Sequence, residues 1–256
     1  MNSAPEAGAR TDFLGLAFDA RPSPAIHAWL AARGAASDFA YVVTPNVDHV
    51  VRLETAGEAV WQAYRGAAVC VCDSRVLSGL ARLCGVRLPV TTGSDLVQTL
   101  FLDILKPGDA VCLIGGSDEL ADALRRRFPD FGLRHHLPPM GLIRDAAARA
   151  RAVAFAGDAG ARATLLAVGS PQQELLAFEM ARSGAVRGTA LCIGAGVEFL
   201  IGARSRAPRA MQRLGLEWAW RLLTEPRRMW RRYLVDGPAV FPIVWRWRRA
   251  ARSARR

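Results

Sequence analysis

Several things are scarce in these 256 residues, and each scarcity narrows the reading. Lysine is almost missing: residues 204–256 contain 15 arginines and no lysine. There are five cysteines, an odd number, with no CxxC pair and no Cys/His spacing. That argues against a disulfide framework and against zinc ligation, and leaves buried free thiols in a reducing compartment as the expectation. Cys70 and Cys72 alternate within one apolar run and so point to the same strand face. No Asp-x-Asp pair occurs, so a dedicated carboxylate cage for Mg²⁺ or Mn²⁺ on a nucleotide sugar is not indicated. Neither GxGxxG nor a P-loop is present. The start, "MNSAPEAGARTD", lacks the apolar centre of a signal peptide. The longest late apolar run, "GPAVFPIVWRW", holds two prolines and is too short to span a bilayer, although it can lie on one.

What is present is a chain with 51% hydrophobic residues and a formal charge of +11. That suits one large domain, or a domain with an appendage. The charge is uneven. The 15 arginines of residues 204–256 face only Glu217, Glu225 and Asp236, whereas residues 1–203 are close to neutral. Five of the seven tryptophans lie in that same last fifth. A genomic bias accounts for arginine over lysine as readily as selection does, but the asymmetry between segments points to an anionic partner for the tail. Within "GLEWAWRLLTEPRRMWRRYL", residues 215–234, Arg227, Arg228, Arg231 and Arg232 are close enough on a helix to form one cationic face. Trp220, Trp230, Trp245 and Trp247 suit the interface between headgroup and acyl chain, with docking of the tail on the core as the alternative for Trp218 and Trp220.

Five apolar runs recur before residue 203: "FAYVVTPN", "AAVCVCDS", "DAVCLIGGS", "ATLLAVGS" and "GTALCIGAG". Each has at least four consecutive apolar residues, as strands covered on both faces do. Helical patterns follow over 47–64, 76–84, 94–105, 117–128, 143–156 and 171–183. The expected fold is α/β, a Rossmann-like parallel sheet flanked by helices, with a helical Arg/Trp-rich C-terminal appendage. The expected divisions are a disordered start at 1–11, a catalytic core at 12–203 and a membrane-associating appendage at 204–256.

Ligands of such sheets sit at the carboxyl ends of the strands. Asp73 ends one run and is a candidate general base or a plain turn carboxylate. Thr44 and Asn46 end another and are candidate sugar contacts or the N-cap of the next helix. Gly115 and Gly116 precede Ser117 and a helix start, half of a phosphate-binding turn or simple turn chemistry. In "GSPQQE", the amide of Gln173 or the carboxylate of Glu174 is placed to reach a cleft, with capping as the alternative for Glu174. His135 and His136 read as loop residues.

These turns, in this order, resemble the WecG/TagA/CpsF family of bacterial glycosyltransferases, glycosyltransferase family 26. The stretches that carry the resemblance are "TPN", the Asp73 turn, "TGSDL", "LIGG", "GSPQQE", "GAGVEFLIG", "RAP" and "QRLGLEWAWRLLTEPRRMWRRYL", spanning about residues 12–234. The resemblance implies an inverting hexosyltransferase, N-acetylmannosaminyltransferase-like. Such an enzyme uses a UDP-sugar donor and a polyprenyl-diphosphate-linked saccharide acceptor in exopolysaccharide, capsule or teichoic acid synthesis. It also implies peripheral attachment to the inner face of the bacterial cytoplasmic membrane, an anionic surface, with no cofactor and no metal. A homo-oligomer is left open. The implied catalytic residues are Asp73 as base, with Thr44 and Gln173. The implied substrate-binding set is Asn46, Gly93, Ser94, Asp95, Gly115, Gly116, Gly169, Pro171, Glu198, Arg206, Arg213, Arg221, Arg228 and Arg232. Three departures stand out. Ser74 replaces the glycine usual after the base, Val90 replaces an arginine (with Arg75, Arg82 or Arg87 as substitutes), and Glu198 replaces an aspartate. Two rival classes remain beside this: an Arg-rich nucleic-acid-binding protein, for which the tail lacks a known module, and a nucleotide-cofactor oxidoreductase, which the missing GxGxxG opposes. Nucleic acid is not the expected partner.

Overall fold

The computed structural model describes residues 10–253, the side chains of Arg209 and Arg213 excepted. An antiparallel hairpin opens it, β1 (Arg10–Phe13) and β2 (Leu16–Asp19), with Phe13 paired to Leu16 across a two-residue turn. Both turn residues, Leu14 and Gly15, have positive φ, as a two-residue hairpin turn of the right twist requires. The first strand thus begins at Arg10, ahead of the expected start at 12, and most of the expected disordered segment lies outside the described residues.

The main sheet holds β3 (Ala40–Val43), β4 (Val69–Cys70), β5 (Ala110–Gly115), β6 (Gly132–His136), β7 (Ala163–Ala167) and β8 (Thr189–Cys192). Its order is β4-β3-β8-β7-β5-β6, and every pairing is parallel. The five apolar runs are all strands. The sixth, β6, is an edge strand where a loop was expected, and it contains His135 and His136. β6 is only partly covered, with Gly132 and Arg134 exposed, so its polar sequence lacks the continuous apolar run of the strands buried on both faces, β4 at the opposite edge among them.

Side chains alternate across this sheet into two cores. Tyr41, Val43, Cys70, Cys72, Cys112 and Ile114 fall on one side. Val42, Val69, Val71, Val111, Leu113 and Leu165 fall on the other. Helices cover both faces. They are α1 (Ser23–Ala31), α2 (Val47–Leu53), α3 (Glu58–Arg65), α4 (Arg75–Leu83), α5 (Gly93–Thr99), α6 (Asp118–Arg127), α7 (Ala146–Asp158), α8 (Gln172–Ser183) and α9 (Gly196–Leu200). The expected helix 47–64 is two helices, α2 and α3, and α5 continues as a π-helical turn over Leu100–Ile104. α1 precedes the first of the expected segments; Ile26 and Leu30 bury one of its faces.

Beyond Gly202 come α10 (Arg209–Arg213), α11 (Glu217–Thr224), α12 (Pro226–Trp230), a π-helical turn over Arg231–Asp236, and α13 (Val240–Ser253). The last helix docks on the domain: Val240, Ile243 and Val244 join the first core, and Trp247 meets the ring of Phe13 edge-on at 5.0 Å between centroids. Burying three such aliphatic side chains is worth roughly 5 kcal/mol. Trp247, expected at a membrane interface, is therefore a docking residue, while Trp245 stays 59% exposed.

Candidate active site

Asp73 stands where β4 leaves the sheet. The turn is stitched on both sides: Asp73 N–H donates to the Pro45 carbonyl at 3.1 Å, and Thr91 N–H donates to the Cys72 carbonyl at 3.1 Å. Ser74 caps α4 by accepting from Leu77 N–H at 3.1 Å, so the serine found where glycine is usual has a local structural role. Asp73 Oδ2 accepts the N–H of Gly93, at the start of α5, at 3.0 Å. One N–H of that helix terminus is thereby engaged by the carboxylate. Burial pushes the Asp73 carboxyl up to about 7. The Gly93 N–H and Arg221 pull it down, and Glu217 and Asp95 push it further up. A carboxylate balanced near neutrality suits a general base.

Asp73 lies in the wall of a cleft of about 460 Å³ between the sheet end and the C-terminal region. The sheet side supplies Asn46, Asp48, Asp73, Ser74, Arg75 and Val76. The C-terminal side supplies Glu217, Trp218, Arg221, Arg232, Tyr233, Leu234, Pro238 and Phe241. A much smaller cavity, about 20 Å³, adjoins it and shares Asp73, Glu217 and Arg221; Thr92, Ser94, Arg206 and Trp220 complete much of its lining. The cleft therefore pairs a carboxylate with guanidinium groups, and polar walls with aromatic and aliphatic ones.

The other expected site residues divide. Thr44 is 4% exposed and donates its hydroxyl to the Cys192 carbonyl at 3.1 Å, so it braces β3 against β8 behind Asp73. Asn46 caps α2, accepting from Asp48 N–H and His49 N–H, while its own N–H donates to His49 Nδ1. It also lines the cleft, and Arg232 donates to its Oδ1 at 3.5 Å. Gln173 is 2% exposed; its Oε1 accepts from Gly194 N–H at 3.0 Å and its Nε2 donates to Glu174 at 2.8 Å. Both ends of the amide are thus engaged inside the protein, which places Gln173 as a brace between α8 and the turn after β8. Glu174 is fully buried beside it, with Oε2 unpartnered among the described residues. Ser170–Pro171 is a cis peptide, and Gly169 before it has φ +80°.

Gly115 and Gly116 lie at the end of β5, three strands from β3, outside the cleft lining. Turn chemistry accounts for both: each has positive φ, and a Cβ on Gly115 would sit 2.7 Å from the Ala167 carbonyl carbon. His135 Nε2 lies 3.0 Å from the Gly115 carbonyl oxygen, tying β6 to this turn. Asp95 and Arg206 are brought together as an ion pair at 2.9 Å. Glu198 pairs with Arg204, which also reaches Glu225. Arg221 lines both cavities, its guanidinium over the Phe199 ring at 5.2 Å. Arg232 turns into the cleft and meets Asp48 at 3.3 Å. Arg228 is on the outside, paired with Glu225 at 3.2 Å. The expected single cationic face is thus divided, with Arg227, Arg228 and Arg231 exposed and Arg232 inward. The side chain of Arg213 lies outside the described residues. Of the three arginines considered in place of Val90, Arg75 lines the cleft, and Arg82 and Arg87 are exposed elsewhere. Glu217, Tyr233 and Phe241 also line the cleft, and no strand-end turn marks them in the sequence. They come from a segment more than 140 residues away from Asp73, and only their membership of the Arg/Trp-rich stretch and its continuation hinted at a role.

A parallel α/β sheet with a carboxylate at a strand end, facing arginines across a cleft, is an arrangement suited to group transfer from a phosphorylated donor. The family model of the Glycosyl transferase WecG/TagA/CpsF family matches residues 11–254, and the chain belongs to that family of glycosyltransferases.

Proposed function

We propose that this glycosyltransferase moves a sugar from a UDP-sugar to a polyprenyl-diphosphate-linked saccharide, with inversion, at the cleft that Asp73 shares with Arg221 and Arg232. Asp73 takes the proton of an acceptor hydroxyl. The oxygen forms its bond to the anomeric carbon from the face opposite UDP, and the bond from that carbon to the β-phosphate oxygen breaks with its electron pair going to UDP. Negative charge thus leaves Asp73 and builds on the diphosphate. Guanidinium groups, whose planar forks match phosphate oxygens, are the natural partners for it. Arg221 and Arg232 are the candidates, with Arg75 nearby, and the reading needs neither metal nor cofactor. The observation that carries it is the placement of a near-neutral carboxylate in the wall of a cleft whose opposite wall is cationic.

Membrane attachment is part of the same proposal. Among the described residues no helix is long and apolar enough to cross a membrane. Leu223, Trp230, Leu234, Phe241 and Trp245 are each more than half exposed, on the segment that bears Arg227, Arg228 and Arg231. Apolar side chains beside cations suit the headgroup region of an anionic leaflet, at the inner face of the cytoplasmic membrane.

The test is UDP release from a panel of UDP-sugars with a short-chain lipid-diphosphate saccharide as acceptor. One donor should give acceptor-dependent release. Asp73→Asn should abolish it and leave UDP binding nearly intact, and Arg221→Gln should lower kcat by about 10²-fold. An Asp73→Asn protein that keeps most of the activity would overturn the assignment of the base.

A further inference from the structure

We propose that Glu217 is the second carboxylate of the site, a positioning residue that acts on the reacting proton through Asp73; this rests on the transferase reading above. Three observations carry it. Glu217 and Arg221, one helical turn apart at the start of α11, both line the large cleft and the small cavity, and Asp73 lines both as well. The start of α11 is fixed beside α4: Gly215 has φ +74°, and a Cβ there would lie 3.4 Å from Arg75 Cβ. Finally, among the described residues Glu217 has no ion-pair partner, although it belongs to the Arg-rich segment. The other two acids there are paired, Glu225 with Arg204 and Arg228, and Asp236 with Arg231.

An unneutralised anion beside Asp73 favours the protonated form of that carboxyl. It makes Asp73 a stronger base and helps negative charge move from Asp73 towards the leaving diphosphate. Arg221, from the same helix face, sets the limit in the other direction. The remaining groups around Asp73 are accounted for. The Gly93 N–H stabilises the carboxylate. Asp95 is held by Arg206, and the Thr44 hydroxyl is directed to Cys192. Across the cleft, Arg232 and Asp48 are paired, and Arg75 completes the sheet side. Glu217 is the one carboxylate of this set without a cationic partner among the described residues.

The experiment is a ¹³C NMR titration of the Asp side-chain carboxyls in the full chain, with the Asp73 signal identified by its loss in Asp73→Asn. Wild type should titrate near neutrality, Glu217→Gln should lower the midpoint by about one pH unit, and Arg221→Gln should raise it. Glu217→Asp should restore most of the wild-type value. The acid limb of kcat/KM should move in the same direction as the midpoint. A midpoint that Glu217→Gln leaves unchanged, or a wild-type Asp73 that titrates in the ordinary carboxylate range, would overturn the proposal, and the second result decides even if Glu217→Gln does not fold. The titration needs no turnover. Coupling between the two carboxyls without any sugar transfer would therefore count against the transferase reading, and transfer without coupling against Glu217.

Discussion

Replacing Asp73 by Asn should separate stability from chemistry. The folded protein holds the Asp73 proton more tightly than the unfolded chain does, so the ionised carboxylate weakens the fold, and its cost grows as pH rises from about 4 to about 7. Asp73→Asn should therefore be inactive yet more stable than wild type above pH 7, by about 1–3 kcal/mol, with the gain vanishing towards pH 4. Thermal unfolding of both proteins across this range checks it; a gain that grows as pH falls would contradict the assigned shift. Asp73 was legible as a residue because it ends an apolar run. Its environment was not, since Gly93 is 20 residues away and Arg221 is 148 away. Thr44 and Gln173 show the reverse. Their types and strand-end positions marked them, but only the packing shows that their polar atoms are turned inward to carbonyl, amide and carboxylate partners.

Among elements, the strands with both faces buried were legible, β4 at one edge of the sheet included, and the partly exposed edge strand β6 was not. A strand with both faces covered is apolar throughout, and the runs that became β3, β4, β5, β7 and β8 have that character. β6 carries Arg134, His135 and His136, since its faces are only partly covered. The opening hairpin was hidden by its turn, Leu14-Gly15, in which leucine occupies a left-handed position usually given to asparagine or glycine. Gly115 and Gly116 were legible as a turn, but their distance from Asp73 follows from strand order, which no local motif encodes. Two substitutions test the turns. Gly115→Ala, with φ +90° and a clash against Ala167, should cost about 2–4 kcal/mol. Gly169→Ala, at φ +80° with open space around it, should cost about 1 kcal/mol. Equal losses in chemical denaturation would show that backbone conformation alone, without the contact at Ala167, sets the cost.

At the scale of the molecule, the Arg-rich segment proves to be both wall and cover. Its composition marked an anionic partner, but not that α11 and the turn after α12 close one side of the cleft while α13 completes a core. Two tryptophans two residues apart should separate these duties. Trp247→Ala should lower the melting temperature by several degrees, because Trp247 packs on Phe13. Trp245→Ala should leave the melting temperature within about a degree and weaken binding to anionic vesicles. Replacing Arg227, Arg228 and Arg231 by Gln should weaken vesicle binding by about 1 kcal/mol each, with the loss shrinking at high salt. Sedimentation with vesicles of defined anionic content measures both effects.

The contact between Phe13 and Trp247 also bears on how the protein comes to be folded. The two rings are separated by nearly the whole described sequence, yet they cover the same core. During synthesis the hairpin emerges well before residue 247, so the contact between Phe13 and Trp247 cannot form while the ribosome is still translating the sheet. Until then the nascent chain leaves the face of Phe13 that Trp247 covers open to solvent or to a chaperone.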